Sequence, residues 1–321
     1  MENNFHDIYL QVLESHLSYD FYNKPRDQAQ YERMMTSFEL DNPVERVVYS
    51  KERKINIIFQ FAEFLWYLSG SNSLDFIEYY APSMRKYSAD GKTLPGTAYG
   101  SKLYRNLSNN KSQLETIIEL LDKYPETKRA VLQIYDADEI SIKDNIDVSC
   151  TLCLQYLIRN SKLNCIAFMR ANDVYVGMSS DVFSFTMLQE YIARRLHIEV
   201  GTYYHVVGSS HIYEANFAKA KKVVSAKKGF NSYGLQFPKM PSKDLQASLL
   251  TVLDYEKQLR QNEISLTNPD IDNLYLDNYW KDIIRLFELK REKTYERTID
   301  SQIVDSLSKT INYLYLNRFG E

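Results

Sequence analysis

Between Val182 and Leu196 the chain is apolar on nearly every side of a helical wheel, with Phe183, Phe185, Met187, Leu188, Tyr191 and Ile192 leaving no polar stripe at the start of the segment. Such a helix has no face to offer water, so the rest of the protein must close around it. The 321 residues are 44% hydrophobic and 25% charged, enough to bury a core of that kind. The expected fold is therefore α+β, with one buried central helix and strands and further helices packed about it. We read residues 1–321 as a single domain with a divergent helical region from about residue 225.

The remaining elements follow from periodicity. Residues 6–17 read as a helix and 31–40 as a strand. Ile55, Ile58, Phe59, Ala62, Leu65 and Trp66 recur at helical spacing, predicting a helix over 54–69 that Gly70 ends. Asp90-Gly91 and Leu94-Pro95-Gly96 mark a loop over 86–97. A helix over 113–123 closes at Tyr124-Pro125, and strands are expected over 129–135, 150–159 and 163–170, the last two joined by a turn at Asn160-Ser161. A strand over 203–207 is predicted to pass through Gly208-Ser209-Ser210 into a helix near His211. Further on, Trp280, Ile283, Ile284 and Phe287 form one apolar stripe, and Ile303, Leu307, Ile311 and Leu314 another.

The net charge of −3 and a sequence pI near 6.0 provide no global attraction to nucleic acid or anionic membranes, so any anion site must be local. The segment Met1-Glu2-Asn3-Asn4-Phe5-His6-Asp7 lacks the basic and apolar regions of a secretion signal, and no apolar run reaches membrane-spanning length, so a cytoplasmic protein is expected. The three cysteines, Cys150, Cys153 and Cys165, suit reduced thiols better than a disulfide framework. Cys150 and Cys153 form one C-x-x-C with no second pair, and no metal is expected. Taken alone, Cys150 reads as an inert buried thiol. Glu63 interrupts an apolar helical face, which suggests either a functional carboxyl or a buried salt bridge.

The neighbouring segments narrow these readings. After Asp147-Val148-Ser149-Cys150-Thr151 and one further strand comes Arg170-Ala171-Asn172-Asp173, with Gly177 and Asp181 at fixed offsets. This pattern resembles R-x-x-D-x-x-x-G-x-x-x-N of the thymidylate synthase family, with Asp181 at the Asn position. Ala62-Glu63-Phe64-Leu65-Trp66-Tyr67-Leu68-Ser69-Gly70, Gly96-Thr97-Ala98-Tyr99-Gly100 and Gly208-Ser209-Ser210-His211-Ile212-Tyr213 resemble three further family segments, in order, over roughly residues 5–220. The resemblance implies a mixed sheet with surrounding helices, and a homodimer.

It also implies roles. Cys150 would attack C6 of a pyrimidine, turning an electron-poor ring into a carbon nucleophile at C5. Glu63 would order water and relay protons, and Tyr99 would assist proton transfer near C5. His211 and Tyr213 would hold the ribose, while Arg26, Arg170 with Ala171, and Lys128 with Arg129 would bind phosphate, the last pair from a second subunit. Asp173 would bind both nucleotide and folate, and Gly177 folate. Arg170, Lys128 and Arg129, if gathered, would favour the thiolate. The co-substrate implied is 5,10-methylenetetrahydrofolate, and nucleic acid is not expected as a substrate.

Asp181 suggests the base. Uracil presents a donor at N3 and an acceptor at O4, which an Asn amide matches; cytosine inverts both, and a carboxyl can accept from its amine. The bland alternative is a carboxylate favoured near a helix start. In this family an acid at this position implies cytidylate or deoxycytidylate hydroxymethylation. The stretch Ser83-Met84-Arg85-Lys86-Tyr87 lacks the Trp residues of the synthases, and Leu316-Asn317-Arg318-Phe319-Gly320-Glu321 is unlike their closing tail. Both departures favour water over hydride as the final reactant. Lys128-Arg129 and Arg170-Ala171 in place of Arg-Arg and Arg-Ser lean towards CMP over dCMP. The rival expectations are reductive C5-methylation and a non-catalytic relative that binds nucleotide or RNA.

Overall fold

The computed structural model describes residues 3–18, 21–226 and 234–320; Met1, Glu2 and Glu321, used in reading the termini, lie outside them. Its elements begin with α1 (Phe5–Leu17), β1 (Tyr22–Asn23), β2 (Gln30–Leu40), α2 (Ile57–Leu68), α3 (Leu74–Tyr80), α4 (Tyr99–Leu103) and α5 (Gln113–Lys123). They continue with β3 (Val131–Gln133), β4 (Thr151–Arg159), β5 (Lys162–Asp173), α6 (Gly177–Arg195), β6 (Glu199–Tyr213) and α7 (Glu214–Ser225). After them come α8 (Leu245–Arg260), α9 (Asn268–Asp272), α10 (Asn278–Thr294), α11 (Ser301–Asp305) and α12 (Lys309–Phe319). Among the described residues the strands form one mixed six-stranded sheet in the order β1-β2-β6-β5-β4-β3, parallel only between β5 and β6. That parallel pair needs a crossover, and α6 supplies it. The result is the expected α+β architecture.

The central helix is as buried as its composition requires: every residue from Val182 to Ala193 is inside. Most of its polar groups are partnered, Gln189 Oε1 excepted among the described residues. Glu190 pairs with the fully buried Arg46 at 2.5 Å, and Gln189 donates to the carbonyls of Leu163 at 2.8 Å and Gly201 at 3.1 Å. Without these partners the charge and the amide would cost several kcal/mol on burial, roughly what one large apolar side chain returns. Helix α2, capped by Asn56 through the Phe59 N–H at 3.2 Å, packs on α6, and the two helices hold Glu63 and Asp181 towards the same space.

Three expectations are corrected. The segment 208–213 is strand rather than turn and helix: β6 runs to Tyr213, paired on both sides, with Arg33 opposite Ser210 in β2 and Ala171 opposite Ser209 in β5. Two neighbouring ladders outweigh the breaking tendency of Gly208-Ser209-Ser210. The strand expected over 129–135 is reduced to Val131–Gln133 at the sheet edge. The stripe of Ile303, Leu307, Ile311 and Leu314 is shared by two helices, because Ser308 starts α12 as its N-cap. Helix α12 is tied to the chain ahead of α2, with Tyr313 Oη donating to Tyr49 O at 2.9 Å and Asn317 Nδ2 to Ser50 O at 3.1 Å. No helix among the described residues is long and apolar enough to cross a membrane.

Candidate active site

A cleft of about 630 Å³ opens beside the C-terminal ends of β5 and β6, and all its lining residues lie between Asn23 and Tyr213. It brings together Cys150, Glu63, Tyr99, Asp181, Arg26, Arg170, Ala171, Asp173, Gly177, His211 and Tyr213. Lys128 and Arg129 are exposed and lie outside this cleft in their own chain. Within one chain they are therefore not gathered with Arg170 in the cleft.

Cys150 immediately precedes β4, and its segment is clamped from several sides. Glu139 accepts from Ser149 N–H at 2.7 Å and Ser149 Oγ at 2.9 Å, and is itself held by Lys102 at 2.8 Å. Asp147 accepts from the Gly96 N–H at 2.8 Å and from Thr97 Oγ1, stitching the 94–98 loop to the nucleophile segment. The two backbones approach so closely that a Cβ on Gly96 would lie 2.0 Å from the Asp147 carbonyl oxygen. Gly96→Ala is accordingly expected to cost about 2–3 kcal/mol, read as a lower urea midpoint, and to depress turnover by shifting Cys150. An unchanged midpoint and rate would contradict this packing.

Arg170 completes the clamp: Nε donates to Ser149 O at 2.8 Å, Nη2 to Val148 O at 3.0 Å, and Nη2 lies 3.8 Å from Cys150 Sγ. The thiol is nevertheless above its ordinary pKa. Burial is the largest cause, and the acids Asp181 and Asp147 add to it, against the opposing fields of Arg170 and Arg26. On balance these effects favour the thiol form of Cys150. Among the described residues no group of three His, Cys, Asp or Glu could hold a metal ion. A bulge interrupts the pairing of β4 with β5 between Thr151 and Cys153.

Tyr99 Oη accepts from both the N–H and the hydroxyl of Thr151 at 3.2 Å, which leaves its own proton for the cleft. Its ring stacks on Tyr67 at 5.2 Å. Glu63 is buried and accepts from Ser184 Oγ at 2.9 Å, and among the described residues no salt bridge holds it. Burial, then the Asp181 charge, push its carboxyl up to about 8. Asp181 is half-buried, accepts from Asn172 Nδ2 at 2.7 Å, and is pushed up to about 7, mainly by burial. It is the fifth residue of α6, past the first turn where a helix dipole alone would explain an acid.

The linkage sign is fixed by these values. Glu63 has an ordinary value of 4.5 and about 8 when folded, so its contribution is fully present below about 4.5 and lost as pH rises through about 8. Glu63→Gln removes that dependence. Wild type is expected to lose roughly 3 kcal/mol more than the variant between about pH 5 and about pH 9, measured by denaturant unfolding. Parallel pH profiles would contradict the burial of an unpaired carboxyl.

Asp173 serves the backbone: its carboxylate accepts from the N–H groups of Tyr175 at 2.9 Å and Val176 at 3.3 Å, shaping the turn into α6. His211 Nδ1 has no hydrogen-bond partner among the described residues, and its ring meets Tyr213 edge-on at 5.0 Å. Burial lowers its pKa while Asp173 opposes, favouring the neutral ring, and the residue lines the cleft.

A family model described as thymidylate synthase matches residues 5–266, most of the chain. The chain belongs to the thymidylate synthase family. It is 30% identical over 286 residues, 85% of its length and 71% of the other's, to a deoxyuridylate hydroxymethyltransferase of Bacillus phage SP01. Two proteins of the same name are also similar: 33% identical in Pseudomonas phage M6, covering 54% of this chain and 49% of that one, and 30% in Delftia phage PhiW-14, covering 60% and 56%. The chain thus spans about half the length of these last two. Among solved structures, the thermostable thymidylate synthase A of Bacillus subtilis superposes with a TM-score of 0.60 at 20% identity, over 69% of this chain and 84% of that one, a likeness of fold.

Tyr87, Val176 and Ile146 leave exposed apolar surface along the rim of the cleft. Sequence reasoning missed the Glu139 clamp, the Tyr67 stack and the Asn172 contact to Asp181. The first and last are tertiary hydrogen bonds with no signature in spacing.

Proposed function

We propose that this member of the family hydroxymethylates C5 of a cytidine monophosphate, CMP ahead of dCMP. The observation that carries the base assignment is Asp181, a carboxyl in the same cleft as Cys150 with one oxygen engaged by Asn172 and the other available to a base. Arg170 Nη1, Arg26, His211 and Tyr213 would hold phosphate and ribose, and Cys150 would add to C6. Because the thiol rests protonated, a base must take its proton as it adds; the kcat/KM profile then rises with pH over the range in which that base titrates. Methylenetetrahydrofolate, bound over the Ile146–Val176 rim, supplies the one-carbon unit. Glu63, kept largely protonated by burial, would order the water that ends on the new carbon and pass its proton on.

A second reading is a uracil nucleotide as substrate. The names of the phage relatives favour it, and a protonated Asp181 offers one donor and one acceptor, as an Asn amide does. We propose further that two chains pair through the sheet face carrying Ile166, Phe168, Tyr204 and Val206, half-buried here, so that Lys128 and Arg129 reach the partner's phosphate site. The test of the reaction is product mass after incubation with nucleotide and methylenetetrahydrofolate. Gain of one CH2O with tetrahydrofolate left supports hydroxymethylation; gain of CH2 with dihydrofolate left overturns it.

A further inference from the structure

Behind Asp181 lies a chain of buried polar groups that the reaction does not touch. Asn172 Nδ2 donates to Asp181 Oδ2 at 2.7 Å, Asn172 Oδ1 lies 3.1 Å from His205 Nε2, and His205 Nδ1 lies 2.7 Å from Tyr203 Oη. His205 and Tyr203 are fully buried, Asn172 nearly so, and Phe38 stacks on the His205 ring at 4.9 Å. Adjacent strands deliver them: Asn172 sits on β5, and Tyr203 and His205 on β6, opposite Cys165 and Ala167.

The direction of this chain follows from its far end. Burial holds Tyr203 as a phenol and pushes the His205 ring down to about 3, so both are neutral. Among the described residues the Tyr203 proton has one acceptor, His205 Nδ1. His205 must therefore carry its proton on Nε2 and give it to Asn172 Oδ1, which turns the Asn172 NH2 towards Asp181. Reversing the chain would strand a buried phenol proton, costing about 1–3 kcal/mol.

We propose that Asn172, oriented by His205 and Tyr203, is a positioning residue for base choice: it commits Asp181 Oδ2 as an acceptor, so that a proton on this carboxyl sits on Oδ1. A carboxyl with its proton pinned to one oxygen is an oriented donor and acceptor pair, and only one of the two pyrimidine edges fits it in a given base orientation. A carboxyl free to move the proton between oxygens would accept both. This inference rests on Asp181 reading the base.

The experiment is the ratio of kcat/KM for cytosine and uracil monophosphates, by tritium release from C5, across the pH range in which Asp181 titrates. Tyr203→Phe removes one oxygen remote from the cleft, Asn172→Ala removes the donor itself, and Asp181→Asn is the reference. The expected result is a loss of discrimination of about tenfold or more in Asn172→Ala and several-fold in Tyr203→Phe, with an altered pH profile of the ratio. The loss arises from a lower KM for the poorer base, with the melting temperature of Tyr203→Phe near wild type. If Asp181→Asn moves the ratio and both relay variants keep the wild-type ratio and profile, the relay is overturned alone. If Asp181→Asn also leaves it unmoved, the base reading falls and the relay with it.

Discussion

Cys150→Ser is expected to lower folate-dependent turnover, and folate-independent release of tritium from the 5-position of the nucleotide, by at least about a thousandfold. The hydroxyl is a poorer nucleophile whose proton is far harder to remove, and nothing in the cleft compensates. Arg170 makes its backbone hydrogen bonds to residues 148 and 149 whichever atom follows, so the segment keeps its shape. Nucleotide binding, followed by isothermal titration, is therefore expected to stay within a few-fold of wild type. Residual tritium release at the wild-type rate would remove Cys150 from the chemistry.

Asp181→Asn is expected to move the preference between cytosine and uracil monophosphates towards uracil, on the order of a hundredfold in relative kcat/KM. Its magnitude comes from the cleft. Asp181 lies where burial, aided by the Asp173 charge, raises its carboxyl to about 7, so a mismatched donor or acceptor on the base is poorly rescued by water. The sign of the pH dependence follows as well. Above about 7 the ionised carboxylate only accepts, which suits the cytosine amine and repels uracil O4; below it the neutral acid also donates, so uracil is opposed less. Discrimination in favour of cytosine is thus expected to rise with pH in the wild type and to be flat in Asp181→Asn. A flat wild-type profile would contradict the role given to this carboxyl.

What could be read from the sequence was local. The all-round apolar run over 182–196 placed the central helix, and the grouped motifs placed Cys150, Glu63, Tyr99, Arg170, Asp181, His211 and Tyr213 in one cleft. Long-range pairing was not legible. Gly208-Ser209-Ser210 reads as a turn until β2 and β5 are seen on either side of it. The balance of charge at the thiol was not legible either, because Lys128 and Arg129 are exposed and outside the cleft of their own chain while Asp147 and Asp181 oppose the thiolate. The polar support behind the site links residues far apart in sequence, Glu139 to Ser149 and His205 to Asn172, and no periodicity marks such contacts.

The most direct measurement is a competition among CMP, dCMP, UMP and dUMP for hydroxymethylation by the wild-type enzyme at one fixed pH above the Asp181 titration, with products resolved by mass. Hydroxymethylated CMP is predicted to dominate, with the dCMP product second; a dominant hydroxymethylated uracil nucleotide would contradict the assignment of Asp181 to the amino edge of cytosine.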